Sequence, residues 1–230
     1  MKVKTALVIL SAGAEWRIAT EFYAHCQPQP DRYSSSFELD LGGVRAVFFH
    51  GGWGKVSAAA SAQYAIDRWQ PDLLLNLGTC GGFSGCVERG EIILADETII
   101  YDIYERMSSA QAAIDFYTTQ IDLSYLQQPY PLPVRRMRLI SADRDIDPAE
   151  VAFLQEQFQA GAADWESGAI AWVAAKNGLR CLILRGVSDL VDQNGGEAYG
   201  NFDLFSERTR GIITSLLESL PGWLNRAVQG

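Results

Sequence analysis

The sequence predicts an α/β fold, a central mixed sheet with flanking helices. Two observations carry that reading. Short apolar runs at residues 4–10, 72–77 and 179–187 alternate with segments of helical periodicity at 15–22, 149–159 and 164–177, as expected of strands covered on both faces. Residues 34–41 and 44–50 read as two further strands joined by Gly42-Gly43, a hairpin signal that adds antiparallel pairing. A length of 230 residues suits one large domain able to bury a substantial core, so the whole chain, 1–230, is expected to be a single domain.

Composition narrows the function classes. The chain is 48% hydrophobic and 20% charged, with a net charge of −9. That balance argues against a nucleic-acid partner, because phosphate-backbone affinity comes from clustered Lys and Arg. The apolar part of the first 13 residues is too short for a signal peptide, and no apolar run approaches the roughly 20 residues that span a bilayer. No membrane partner is expected. The four cysteines, Cys26, Cys80, Cys86 and Cys181, form no CxxC pair, and the only histidines are His25 and His50, which argues against a zinc site. Neither metal nor other cofactor is expected, and the chain reads as cytoplasmic with reduced thiols. Cys181 falls in an apolar run and reads as a small buried hydrophobe.

Taken in order, residues 4–10 form a strand, Ser11-Ala12-Gly13-Ala14 breaks it, and 15–22 is helical. Glu15 on the first turn of that helix suits either solvent or a ligand edge. After the hairpin, Gly51-Gly52-Trp53-Gly54-Lys55 runs into an Ala-rich helix. Its backbone N–H groups are placed either to meet a ligand or to let helix and strand pack closely. It is not a P-loop, since Lys55 is followed by Val56. His50 reads as a strand-end residue. The strand at 72–77 enters Gly78-Thr79-Cys80-Gly81-Gly82, read as a turn whose glycines let the backbone approach a small molecule. Residues 87–100 look like a strand-rich edge, 101–117 are less regular, and the Pro-rich stretch 129–133 is a surface connector. A strand at 138–142 leads into Asp143-Arg144-Asp145-Ile146, and Pro148 opens the next helix. Residues 202–228 form one long amphipathic helix that covers the sheet.

The stretch 164–192 carries the strongest local signal. A helix beginning at Asp164-Trp165-Glu166 stops at Asn177-Gly178, and a buried strand follows and ends at Ser188-Asp189. Glu166 and Asp189 therefore stand at opposite ends of a helix–strand unit, positions that can meet at one sheet edge, where α/β folds bind ligands. An acid near a helix start is also favoured by the dipole, and an Asp after a strand often caps the next helix, so spacing alone leaves a structural role open for both.

The motifs DWESGAIAWVA and RGVSDLVD resemble two late motifs of the purine nucleoside phosphorylase / nucleosidase superfamily, and in particular of 5′-methylthioadenosine/S-adenosylhomocysteine nucleosidases. The resemblance extends to residues 51–60, 78–82 and 87–100. It implies a three-layer α/β/α fold with a mixed, partly barrel-like sheet, a homodimer, and hydrolysis of a purine nucleoside N-glycosidic bond. It implies that Asp189 is the acid at the purine N7, oriented by Ser188, that Glu166 binds the ribose hydroxyls, and that Glu15 activates water. Further substrate contacts are expected from Thr79, Gly81, Trp165, Ile146 and Phe202, with Phe202 and Phe205 candidates for a 5′-substituent pocket. Phosphorylases of the superfamily carry an Arg where this chain has Asn76, which favours water over phosphate as nucleophile. Tyr101-Asp102 stands where relatives have a His-Asp pair, and Asp145 stands where their base-stacking aromatic falls. A phosphorylase, a futalosine hydrolase and a non-catalytic nucleoside-binding module are the alternative readings.

Overall fold

The computed structural model describes residues 3–228. In chain order the elements are β1 (Thr5–Leu10), α1 (Gly13–Phe22), β2 (Gln29–Pro30), β3 (Ser35–Asp40), β4 (Arg45–His50), α2 (Gly54–Trp69), β5 (Leu73–Phe83), β6 (Ile92–Ile100), α3 (Ala110–Phe116), β7 (Thr118–Gln120), β8 (Arg135–Ser141), α4 (Val151–Phe158), β9 (Ala162–Asp164), α5 (Ser167–Lys176), β10 (Arg180–Asp192), β11 (Gly195–Gly196) and α6 (Phe202–Val228). The strands form one mixed sheet whose middle closes on itself. Strand β10 pairs antiparallel with β6, β6 parallel with β8, β8 parallel with β9, β9 antiparallel with β5, and β5 parallel with β10, completing a five-strand barrel. Beyond β5 the sheet opens through β1 and β4 to the β3 hairpin.

The apolar runs occupy its centre. Leu73, Leu74 and Leu75 of β5, Leu182, Ile183 and Leu184 of β10, and Leu7 to Leu10 of β1 have no exposed surface. They carry no alternating polar face because helices cover both sides of the sheet. Helix α2 packs with α5 and α1 with α6, giving the two outer layers. Helix α5 stops at Asn177-Gly178, where Gly178 takes φ +63°, a left-handed conformation open to glycine at little steric cost. Trp223 on α6 is fully buried and packs 5.4 Å from Tyr130, so the Pro-rich connector is pinned against that helix.

Three boundaries differ from the sequence reading, for one reason. Strand β5 does not turn at Gly78 but continues to Phe83. Strand β10 does not end at Ser188 but continues to Asp192 through a bulge between Val187 and Asp189. Asp164 ends strand β9 instead of opening a helix. Barrel closure gives each of these segments a partner, and that pairing overrides the weak strand propensity of glycine and the polar ends. Strand β6 likewise lies inside the barrel, between β10 and β8, and not at an edge.

Candidate active site

Barrel closure brings together residues that are far apart in the chain. Helix α1 begins where β1 ends, so Glu15 enters the sheet end from its first turn. The side chain is 2% exposed and does not face solvent. Its Oε1 accepts from the Thr79 amide at 2.7 Å and from the Thr79 hydroxyl at 3.0 Å, and its Oε2 accepts from the Ala12 amide at 3.2 Å. Burial raises its pKa, and nearby Arg185 opposes that rise.

Glu166 stands at the N-cap position of α5 without capping it. That work falls to Asp164, which accepts from the Ser167 amide at 3.1 Å and from the hydroxyls of Ser141 and Ser167. Glu166 Oε1 instead accepts from the Gly54 amide at 3.1 Å, and its pKa is raised by burial against the pull of Arg185. Lys55 N donates to Asp143 at 2.7 Å. The N–H groups at the start of α2 are thus taken up by carboxylates of the protein, and the ligand-meeting alternative for this loop does not hold at Gly54 and Lys55.

Asp189 follows the β10 bulge. Its Oδ1 accepts from the Ser188 hydroxyl at 2.7 Å, and burial raises its pKa. The Ser188 carbonyl accepts from Arg208 at 3.1 Å, which fixes the strand on its far side.

Behind the acids lies a residue whose role the sequence reading missed. Arg185 is 1% exposed. Its Nε lies 2.9 Å from Asp164 Oδ2 and from Ser167 Oγ, one terminal nitrogen donates to Asn76 Oδ1 at 2.7 Å, and Glu166 is 3.8 Å away. A Cβ on Gly78 would fall 1.7 Å from its other terminal nitrogen and 2.9 Å from Glu15 Oε1. Gly78 is therefore a passage for a guanidinium and not for a ligand. Gly81 and Gly82 make room in the same way for Ile146 and for Val87 and Val187. An arginine inside an apolar run was the available signal, since a charge buried in a strand needs a partner.

All ten residues expected from the sequence to contact or transform substrate line one cavity of about 590 Å³: Glu15, Thr79, Gly81, Ile146, Trp165, Glu166, Ser188, Asp189, Phe202 and Phe205. Its size suits a nucleoside. Trp53, Asp145 and Tyr199 also line it. Trp53 and Trp165 stack with ring centroids 4.9 Å apart at 24°, flanking the Gly54–Glu166 contact. A second groove of about 730 Å³ beside α6 shares only Ser188 with this cavity and has Glu91 as its one acid. His50 and Cys181 lie away from this cavity. His50 stacks on Trp16 at 5.5 Å and lies 2.7 Å from Ser34 Oγ, and Cys181 is buried with its thiol pushed up to about 12.

Comparison with known proteins places this geometry in a family. The family model described as the phosphorylase superfamily matches residues 32–220. The chain belongs to that superfamily. Within it, the chain is 24% identical over 193 residues to the 5′-methylthioadenosine/S-adenosylhomocysteine nucleosidase of Geobacillus sp. (strain WCH70), covering 78% of this chain and 83% of the relative. It is 29% identical over 184 residues to the enzyme of the same description from Bacillus pumilus (strain SAFR-032), covering 74% and 78%. The superfamily fold is matched by solved structures. The S. pneumoniae nucleosidase with a transition-state inhibitor, MT-ImmA, aligns with a TM-score of 0.77 at 20% identity, over 96% of this chain and 99% of that one. A futalosine hydrolase mutant of Helicobacter pylori strain 26695 aligns at 0.79 and 17%, over 95% and 98%.

Proposed function

We propose that this protein hydrolyses the N-glycosidic bond of a purine nucleoside and releases the free base, with 5′-methylthioadenosine and S-adenosylhomocysteine as first substrates. One observation carries the reading: Glu15, Glu166 and Asp189 arrive from three distant segments and border a single nucleoside-sized cavity. Breaking the bond leaves positive charge on the ribosyl ring and negative charge on the base. Carboxylates at the sugar stabilise the first, and an acid that keeps its proton neutralises the second. Asp189, its pKa raised by burial, is that acid, and Ser188 orients it. Glu166 binds the ribose hydroxyls. Glu15, held by Thr79 and Ala12, activates the water.

Water is favoured over phosphate by charge. Asn76 is fully buried, bonded to the Ile9 carbonyl at 3.1 Å and to Arg185, and does not line the cavity. Arg185 is already surrounded by Asp164, Glu166 and Glu15. The cation that lines the cavity, Arg144, is paired with Glu150. A phosphate dianion beside Glu15 and Glu166 would find, among the described residues, no free guanidinium lining the cavity to hold it. Futalosine is the second candidate substrate. Trp165, next to Glu166, stacks with Trp53, and the pair gives the ribose end a flat aromatic wall.

We assign the working form to a homodimer and the setting to the cytoplasm and methionine salvage. Tyr104, Met107 and Phe116, 78%, 94% and 57% exposed, gather on residues 101–117 and support a second copy as their cover, which sedimentation would test. Among the described residues no helix is long and apolar enough to cross a membrane, and the free thiols of Cys26, Cys80, Cys86 and Cys181 suit a reducing compartment. The activity is tested by purine release from a panel of methylthioadenosine, S-adenosylhomocysteine and futalosine, with and without phosphate. We expect release without phosphate. A phosphate requirement would mean a phosphorylase, and binding without release a nucleoside-binding module.

A further inference from the structure

Asp145 occupies the position where the nucleosidase pattern has an aromatic against the base, yet the cavity wall at that point is not without a ring. It comes from a different loop. Tyr199 lies between β11 and α6, lines the cavity and is 43% exposed. Its hydroxyl donates to the carbonyl of Ile146, the residue after Asp145, at 2.7 Å. The ring also lies over Gly196, where a Cβ would fall 2.6 Å from Cδ1 and Cε1, and the Tyr199 amide donates to the Gly196 carbonyl at 3.0 Å. The ring is thus held at both ends with surface left open on the cavity side. A ring fixed in advance loses little freedom when a base lies on it. Burial, and then the carboxylates of Asp145 and Asp189, raise the phenol pKa, so the hydroxyl stays a donor and the tether persists through the working pH range.

We infer that Tyr199 is the base-stacking wall of this cavity, supplying from the β11–α6 loop the aromatic surface absent at position 145. The inference rests on the purine-nucleoside reading of the site. It assigns Tyr199 to binding and not to chemistry, so it acts on KM and on the affinity for the free base more than on kcat.

The test is calorimetric titration of the full chain with adenine and hypoxanthine, beside KM and kcat for the best nucleoside of the panel. Both variants fall on a half-exposed loop residue. Tyr199→Phe keeps the ring and loses the tether, and Tyr199→Leu loses both. We expect Leu to weaken base binding about tenfold or more, as stacking on an aromatic contributes, with a matching rise in KM, and Phe to weaken it threefold or less. Equal losses for Phe and Leu would make Tyr199 a loop pin and overturn the inference, as would unchanged affinity in Leu or no base binding by the wild type. The hydrolase reading is judged separately. A wild type that binds adenine in a residue-199-dependent way but cleaves no nucleoside keeps the stacking wall and loses the hydrolase. One that cleaves, with base affinity indifferent to residue 199, does the reverse.

Discussion

Arg185 and Asp164 form an ion pair of 2.9 Å in which both side chains are 1% exposed. Glu166 and Glu15 face the same guanidinium, so one buried cation answers three carboxylates. Removing it leaves uncompensated charge in a low-dielectric interior, and breaking such a pair from one side costs about 3–5 kcal/mol. We expect Arg185→Met to lose stability of that order near pH 8 and less near pH 5, where Glu166 and Glu15, both raised in pKa by burial, take up protons. Urea denaturation at the two pH values checks this; equal losses would place the damage in packing and not in charge.

Glu166 gives the complementary test. Its folded-state pKa lies above the ordinary carboxylate value, chiefly through burial, so the neutral form is the one folding favours. The stabilising contribution is whole below the ordinary carboxylate range and is lost as pH rises through the raised value. We expect the wild type to lose stability between about pH 5 and pH 8 while Glu166→Gln, which still accepts from Gly54, keeps it. Thermal midpoints of the two proteins across that span should diverge upward in pH.

Asp189→Asn should abolish most turnover without unfolding the chain. A single proton-transfer group contributes on the order of 10²–10⁴-fold. Purine release should fall by that range while circular dichroism is unchanged. On the proposed mechanism Glu15 loses a proton and Asp189 keeps one, so they should set the acidic and alkaline limbs of the kcat/KM profile, with burial moving both limbs upward in pH. The residual activity of the Asn variant should lack the alkaline limb.

Lys55 ties two walls of the cavity together. Its ammonium pairs with Asp102 and lies 3.7 Å from Asp143, whose amide donates to Asp102 at 3.0 Å. These contacts hold the Trp53–Gly54 loop beside the loop that carries Asp145 and Ile146. The pair is about a fifth exposed, so its contribution is modest, about 1 kcal/mol. Lys55→Met should raise KM roughly fivefold with kcat little changed, since none of the three acids is touched. Steady-state kinetics separate the two, and a fall confined to kcat would contradict the arrangement.

Much of this was legible in the sequence because it was local. The alternation of apolar runs with helical segments marked the layers, and Asn177-Gly178 marked the end of α5. The three acids of the proposed mechanism stood near element ends, where α/β folds bind ligands. What was hidden depends on contacts across the chain. Glycines and Ser188 read as strand breakers until the barrel gives β5 and β10 partners along their whole length. Lys55 meets Asp102 and Asp143 from 47 and 88 residues away, a relation without periodicity. Tyr199 carried no signal, because it sits in a loop whose value lies in what it faces. Arg185 was visible as a charge among apolar neighbours, and its three carboxylates were not.

The bulge at Ser188 sets a rule for how this chain can vary. Val187 pairs with Cys80 and Asp189 with Gly81, so Ser188 is the one extra residue of the strand, and deleting it would leave Asp189 in register with Gly81 while removing the hydroxyl that donates to it. A one-codon deletion of Ser188 and the substitution Ser188→Ala should therefore act alike, through the lost hydrogen bond to Asp189. A further residue inserted at 187–189 would have no partner on β5, so insertions should be purged from that segment.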